Sequence, residues 1–361
     1  MPLPVVDLDI FLQSPDSVTA QAECKKAADA LVEYGALVVK DSRVSEADNS
    51  AFLDLLEDYF AQPIDLLRAD ERPEVGYQVG VTLANTERPK CASSAPCLSV
   101  IQRLEPSERP LDISGHQADP KCRFFWKMQT PPPYPTAYPS LNMQNVVPKA
   151  FEHQWPGIMN KWGGRMREAV EGVAEMAAVG FGLERGAFKD AGAYGPHLLA
   201  PTASDLNEYG KKDTILAGFH TDLNFLTIHG RSRYPGLHIW ARNTGKRIAV
   251  SIPSGCLLVQ AGRQLEHLTG GLVKAGYHEV VVNEATLQAV ERIRSTGRPL
   301  IRISSTFFYH LLSDYTLAPI PQLQHESQTR YVQDGEEKET YESMKVGQQV
   351  ENELRQIALM A

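Results

Sequence analysis

The stretch Gly218-Phe219-His220-Thr221-Asp222-Leu223-Asn224-Phe225-Leu226-Thr227-Ile228 constrains this chain more than any other. Thr, Phe, Leu and Ile dominate it and no helical period survives the glycine, so it reads as a strand. Residues two apart on a strand project to the same face, so His220 and Asp222 aim an imidazole and a carboxylate at one point. A second His from a distant strand would complete a 2-His-1-carboxylate face, the arrangement that leaves positions open on a non-haem Fe(II). A His-x-Asp alone is weak, because in a chain with ten His a solvated or core-satisfied pair is the commoner outcome.

The downstream sequence changes that balance. His278 heads the β-branched run Glu279-Val280-Val281-Val282, and Leu300-Ile301-Arg302-Ile303-Ser304 follows as another apolar strand. Arg302 and Ser304, two apart, share a face. A guanidinium fork beside a hydroxyl suits one end of a dicarboxylate, since Arg stays charged and grips a carboxylate through two parallel hydrogen bonds.

His220-x-Asp222, then His278, then Arg302-x-Ser304 resembles the Fe(II)- and 2-oxoglutarate-dependent oxygenases of the isopenicillin N synthase-like group. The resemblance extends to Pro4-Val5-Val6-Asp7-Leu8, Tyr34-Gly35-Ala36-Leu37-Val38-Val39, Gly76-Tyr77 and Trp155-Pro156, and covers most of residues 1 to 310. It implies an α+β fold with a double-stranded β-helix (jelly-roll) core flanked by helices and an N-terminal α/β dioxygenase subdomain. The divisions it suggests are 1–150 with Pro-rich loops, 151–320 with a helix and the jelly roll, and 321–361 with a linker and helix. It also implies His220, Asp222 and His278 on Fe(II), Arg302 and Ser304 on 2-oxoglutarate, and O2 as oxidant, with no catalytic group beyond the iron ligands.

Composition excludes other classes. Lys plus Arg total 36 against 44 acidic residues, a formal charge of −8 with no long basic block, which argues against nucleic acid or anionic membrane as the main partner. No apolar run approaches the roughly 20 residues that span a bilayer, and Met1-Pro2-Leu3-Pro4 has no signal-like character. Five Cys without a C-x-x-C fit a reducing, cytoplasmic setting, with Cys91 and Cys97 expected as loop thiols.

Along the chain, residues 3 to 9 read as a strand, Ser14-Pro15 as a helix start, and Gly35 as its stop. Ser45-x-x-Asp48 resembles a capping box before Phe52, Leu55, Leu56, Tyr59 and Phe60, which are core residues at helical spacing. Residues 86 to 120 are expected as loops. A strand over 122 to 128 puts Phe124, Trp126 and Met128 on one face, for ordinary packing or, following the resemblance, as a wall of the substrate pocket. Trp155-Pro156 opens a long helix to about residue 179, with Lys161, Arg165, Arg167 and Glu168 on its solvated side. Short strands from about 212 include a hairpin around Asn243-Thr244-Gly245. A helix-and-turn insertion over 284 to 299 must loop out before the Arg302 strand. A C-terminal helix carrying Tyr341, Met344, Val350, Leu354 and Ile357 follows the acidic stretch 334 to 339.

His267 is the rival third ligand, but its setting resembles the turn before the ligand strand, while His229 and His238 read as core or surface histidines. The Tyr of the plant relatives' Asn-Tyr-Tyr-Pro stretch is missing from Leu198-Leu199-Ala200-Pro201. Asp222, a carboxylate where halogenating relatives have a small residue, disfavours halogenation. The resemblance implies conversion of 2-oxoglutarate to succinate and CO2 while a small organic substrate is oxidised. Tyr77, Phe124, Trp126 and Tyr309 are candidate pocket residues, hinting at an apolar or phenolic molecule of secondary metabolism. Hydroxylation, desaturation, demethylation and cyclisation stay open, as does the oligomeric state. The alternatives are an iron oxidase like isopenicillin N synthase or ACC oxidase, which does not use 2-oxoglutarate, and a non-catalytic jelly-roll binder.

Overall fold

Asp7 closes β1 (Val5–Asp7) and opens α1 (Leu8–Gln13), its carboxylate accepting from the amides of Asp9 and Ile10. The strand expected over 3 to 9 is therefore cut short by an N-cap. The next helix, α2 (Val18–Tyr34), starts after Ser17, whose hydroxyl caps Ala20, and not at Ser14-Pro15. Gly35 ends it at φ 67°, the left-handed stop that glycine adopts without a Cβ clash. The structure is a computed structural model describing residues 2–87, 91, 94–111, 118–332 and 340–356.

After β2 (Ala36–Lys40), α3 (Glu46–Phe60) begins at the Ser45 cap and buries Phe52, Leu55, Leu56, Tyr59 and Phe60. Then come α4 (Ile64–Arg68) and β3 (Gly80–Thr82). The loops expected over 86 to 120 contain a helix, α5 (Ala95–Arg103), capped by Ser94 with Pro96 in its first turn. Cys97 and Ile101, one turn apart, cover Phe219 and Trp240. Cys91 and Cys97 are joined in a disulfide with their Cα atoms 5.3 Å apart, so they are not the free thiols expected, and the cysteines no longer argue for a reducing compartment.

The strand β4 (Cys122–Lys127) leads to the scaffold helix α6 (Trp155–Gly180), which buries Trp162, Met166, Val170 and Val173. Its expected solvated side is laced with ion pairs, Lys161 to Asp48 and Arg167 to Glu171 among them. Past α7 (Ala187–Ala191), β5 (Leu198–Leu199), β6 (Thr202–Asp205) and α8 (Leu206–Tyr209), the run 218–228 is two strands and not one. β7 (Ile215–Thr221) ends before Asp222, and β8 (Leu226–His229) starts after a bend. The expected hairpin is β9 (Leu237–Trp240) with β10 (Arg247–Ala249), closed through Gly245 at φ 65°.

β11 (Cys256–Ala261), α9 (Arg263–Leu268), β12 (Tyr277–Val281), α10 (Glu284–Arg294), β13 (Ile301–Ser304) and β14 (Thr306–Tyr309) complete the core. Beyond it lie β15 (Thr316–Leu317), an unexpected helix α11 (Pro321–Val332), β16 (Met344–Lys345) and α12 (Val346–Gln356). The acidic stretch 334–339 and Ile357 lie outside the described residues. No helix among the described residues is long and apolar enough to cross a membrane.

The strands form a jelly roll of two facing sheets. The major sheet runs β1-β2-β11-β8-β14-β5-β4-β6-β13 with β3 beside β4, and the minor one runs β10-β9-β12-β7. Pairings in both are antiparallel except β1 with β2, so the N-terminal strands extend the sheet that carries β13. α6 packs behind the major sheet against α2 and α3, and α5 covers the outer side of the minor sheet. With helices on the outer faces, the space between the sheets is left for polar side chains.

Candidate metal centre

His220 lies on β7 and His278 on β12, directly paired across the antiparallel ladder of the minor sheet. Such pairs put their Cβ atoms about 5 Å apart on one face, and the two rings have centroids 4.2 Å apart. Asp222 sits just past the end of β7, where the chain crosses to β8 of the major sheet. One oxygen, Oδ1, is 3.7 Å from His220 Nε2 and 3.8 Å from His278 Nε2. One ligand-type atom from each residue fits within 4.8 Å of the others, a span that suits three ligands sharing one ion.

The backing groups fix which atoms face inward. His220 Nδ1 is 2.6 Å from the Gly218 carbonyl and His278 Nδ1 is 3.4 Å from the Gly276 carbonyl. A carbonyl only accepts, so each Nδ1–H donates and each Nε2 keeps its lone pair for a metal. Thr227 donates from Oγ1 to Asp222 Oδ2 at 2.6 Å, leaving Oδ1 turned to the imidazoles. Burial, with His278 beside it, pushes the His220 imidazole down to about 4. Burial alone would raise the Asp222 carboxyl, but the His278 and His220 rings and the Thr227 hydroxyl outweigh it and hold it below its ordinary range. A neutral His220 imidazole and an ionised Asp222 carboxylate are the protonation states a divalent metal needs of such ligands.

Arg302 and Ser304 project together from β13, with Arg302 Nη1 donating to Ser304 Oγ at 2.6 Å and Nε to the Pro235 carbonyl at 3.3 Å. The guanidinium is buried, its pKa lowered to about 10 by that burial, and among the described residues no carboxylate lies within ion-pair distance of it. A buried cation without a counter-charge is costly, so a site built this way is suited to an incoming anion. The rival histidines are engaged elsewhere. His229 accepts from Gln260 at 2.9 Å and meets Thr306 Oγ1 at 3.2 Å, so both its ring nitrogens are occupied. His238 donates to the Gly236 carbonyl, and His267 lies on α9 against Tyr341.

A cavity of about 150 Å³ opens beside His220 and Asp222, walled by Arg123, Phe125, Leu198, Phe308 and His310 and roofed by Val350 and Leu354 of α12. Three of the aromatic residues expected to line it point the other way. Phe124 and Trp126 are buried in the main core, Phe124 with its ring 5.4 Å from Tyr59 and 4.7 Å from Trp155, and Trp126 hydrogen-bonded to Asn160. Tyr309 stacks on His197 at 4.4 Å and donates to the Lys189 carbonyl. Tyr77 packs with Leu141, Val350 and Leu354, one residue from Gln78, which does line the cavity.

The reason is strand phase. On β4 the odd-numbered Arg123 and Phe125 face inward while Phe124 and Trp126 meet α6. Around β14 the even-numbered Phe308 and His310 face inward while Tyr309 faces out. The even phase set by Arg302 and Ser304 could have found Phe308 and His310, because the alternation carries on past Ser305. On the cavity wall Arg123 pairs with Glu87, Lys121 lies 3.4 Å from Glu87 and 2.8 Å from Asp119, and Asp119 accepts from the Gly218 amide at 3.1 Å. This chain of charges fastens the wall to β7. Sequence reasoning missed it, since the two acids that tie it together, Glu87 and Asp119, fall in the segment expected as loops.

The sequence profile of the 2OG-Fe(II) oxygenase superfamily matches residues 194–311, the span holding all five motif residues. Gibberellin 3-beta-dioxygenase 2-1 of Triticum aestivum is 26% identical over 198 residues, covering 52% of this chain and 53% of the wheat protein. The chain thus spans about half the length of that relative. Clavatol oxidase claD of Penicillium crustosum is 23% identical over 328 residues, 88% of each chain. Among solved structures, a 2OG-Fe(II) oxygenase family protein from Caulobacter crescentus superposes with a TM-score of 0.68 at 21% identity, covering 98% of this chain and 99% of the other, a likeness of fold. Sequence profile and relatives thus agree in likening residues 194–311 to the 2OG-Fe(II) oxygenase superfamily, and the jelly roll is a fold they share with its solved members.

Proposed function

We propose that this chain is a non-haem Fe(II)- and 2-oxoglutarate-dependent oxygenase that oxidises a small organic substrate, with 2-oxoglutarate converted to succinate and CO2. The observation that carries the reading is the pairing of two sites across the sheets. Three ligand-type atoms of His220, Asp222 and His278 converge from the minor sheet, while the Arg302–Ser304 fork stands on the major sheet without a carboxylate of its own. When bound, iron and 2-oxoglutarate would supply the oxidising chemistry from O2.

The chain's own residues do the rest. The Gly218 and Gly276 carbonyls and the Thr227 hydroxyl hold the three ligand groups in orientation. The Arg302 fork would anchor the distal carboxylate of 2-oxoglutarate. Phe125, Leu198 and Phe308 would exclude water from the substrate and hold its reacting C–H toward the ligand cluster. An iron oxidase that does without 2-oxoglutarate, the second reading, would leave the buried Arg302 charge unanswered. The relatives named above, a gibberellin dioxygenase and a clavatol oxidase, are consistent with a small organic substrate.

The test is anaerobic titration of Fe(II)-loaded protein with 2-oxoglutarate, followed by O2 uptake and succinate release. Binding that depends on both His220 and Arg302 is expected. Iron-dependent O2 uptake without any succinate would overturn the reading in favour of the oxidase.

A further inference from the structure

A second, larger cavity of about 600 Å³ touches the same metal candidate, sharing His220 and Thr221 with the substrate cavity. Its charge is opposite to that of the chain, which carries a formal −8. Among the described residues its lining includes Arg103, Arg242, Arg263 and Lys274 but a single acid, Glu266. That acid is already shared. It lies 2.8 Å from Arg263, accepts from the Tyr341 hydroxyl at 3.0 Å, and takes the Ala275 amide at 2.7 Å. Arg242 lies 5.1 Å over the Tyr277 ring, and its Nε is buried with no hydrogen-bond acceptor.

Cations gathered around a concave, partly desolvated space repel one another and lose hydration, a cost that an entering anion offsets. The cavity holds far less than a nucleic acid strand would need, so the anion is small. We propose that it receives the anionic oxygen group, carboxylate or phosphate, of the oxygenase's own substrate. The substrate would lie with its charged end against Arg242 and Arg103 and its apolar end past Thr221 toward the ligand cluster. This rests on the oxygenase reading and names its substrate class. The Arg302 fork and this basic cavity, which share no lining residue among the described residues, would then hold two different anions.

The experiment is calorimetric titration of anaerobic Fe(II)-loaded protein, with and without saturating 2-oxoglutarate, using benzoate, phenyl phosphate and neutral benzyl alcohol as probes. At least one anion should bind about tenfold or more tighter than benzyl alcohol with 2-oxoglutarate present, the size expected of a charge-assisted contact. The better of the two anions identifies the group. Arg242→Gln and Arg103→Gln should each weaken that anion about three- to tenfold and leave 2-oxoglutarate affinity unchanged. Arg103 is exposed at the end of α5, so its variant carries little folding risk should Arg242→Gln prove unstable. Equal affinity for all three probes, or anion binding untouched in both variants, would overturn the proposal. Failure of 2-oxoglutarate to bind would sink the oxygenase reading, while the two arginine variants would still report on the cavity in its absence.

Discussion

His278 stands directly opposite His220 in the β7–β12 ladder, with the two ring centroids 4.2 Å apart. The pair therefore depends on strand register, and a slip of one residue would turn either imidazole to the outer face under α5. His220→Ala, Asp222→Ala and His278→Ala are each expected to lower Fe(II) affinity more than about 100-fold, beyond the loss typical of outer-shell changes. Calorimetry with Fe(II) under anaerobic conditions measures this. Unchanged affinity in any one variant would remove that residue from the ligand set.

Thr227→Val tests orientation separately from ligation. It keeps the side-chain volume but removes the hydroxyl that donates to Asp222 Oδ2 at 2.6 Å. Fe(II) affinity should fall about 10-fold, with the fold unchanged by circular dichroism. Wild-type affinity would mean that Asp222 needs no such restraint.

Arg302→Met should act in two directions at once. The buried guanidinium has no carboxylate partner among the described residues, so a neutral side chain of similar length should stabilise the ligand-free protein by about 1 kcal/mol. The same change should weaken 2-oxoglutarate about 100-fold or more by removing the fork. Urea unfolding and anaerobic titration read the two effects. A destabilised variant that still binds 2-oxoglutarate would refute both halves.

Neighbouring phenylalanines on β4 should behave differently. Phe124→Ala removes a ring packed against Tyr59 and Trp155 and should cost about 3–5 kcal/mol of stability. Phe125→Ala opens the cavity wall opposite Phe308, whose ring is 6.2 Å away. It should raise the substrate concentration needed to stimulate succinate release while leaving the unstimulated rate within about twofold, since uniform binding is lost without touching the proposed iron ligands. Swapped phenotypes would show the phase of β4 to be reversed.

Acid should unfold the metal-free protein earlier than carboxylate titration alone requires. Burial holds His229 and His310 down to about 3 and His220 to about 4, from an ordinary 6.5. Above pH 6.5 these groups are neutral whether folded or unfolded. As pH falls from 6.5 toward 4 only the unfolded chain takes the protons, so stability is progressively lost, by about 1.4 kcal/mol per pH unit for each group. Urea midpoints at pH 7.5, 6 and 5 should decline, and His310→Gln should flatten the slope by about one proton. A flat profile in the wild type would contradict the burial of these rings.

The motif residues could be picked out because His220, His278, Arg302 and Ser304 lie on strands whose period is two, and Asp222 follows two positions after His220, just past the end of β7. His220, Asp222, His278, Arg302 and Ser304 needed only order and parity. The pocket wall was not legible for the same physical reason in reverse. In Cys122–Lys127 the alternation separates Cys122, Phe124 and Trp126 from Arg123, Phe125 and Lys127, but with a phenylalanine on each face it does not say which one meets α6 and which the cavity. Helix α5 did carry signals, in Ser94, Pro96 and the Cys97–Ile101 spacing, but the surrounding Pro and Ser residues read as turns. What makes it a helix is the apolar outer face of Phe219 and Trp240, a tertiary partner that no local pattern announces.

The parallel strand pair at the N-terminus has one more consequence. β2 is hydrogen-bonded to β1 on one side and to β11 on the other, with Leu258 facing Val38 and Val259 facing Leu37. Without the first forty residues, β11 would present a row of bare amides and carbonyls flanked by Leu257, Leu258 and Val259, a sticky border ready to recruit another chain. The opening segment is thus the hem of the major sheet, and a fragment trimmed to the profile-matched region should come out of solution as aggregate rather than as a smaller folded protein.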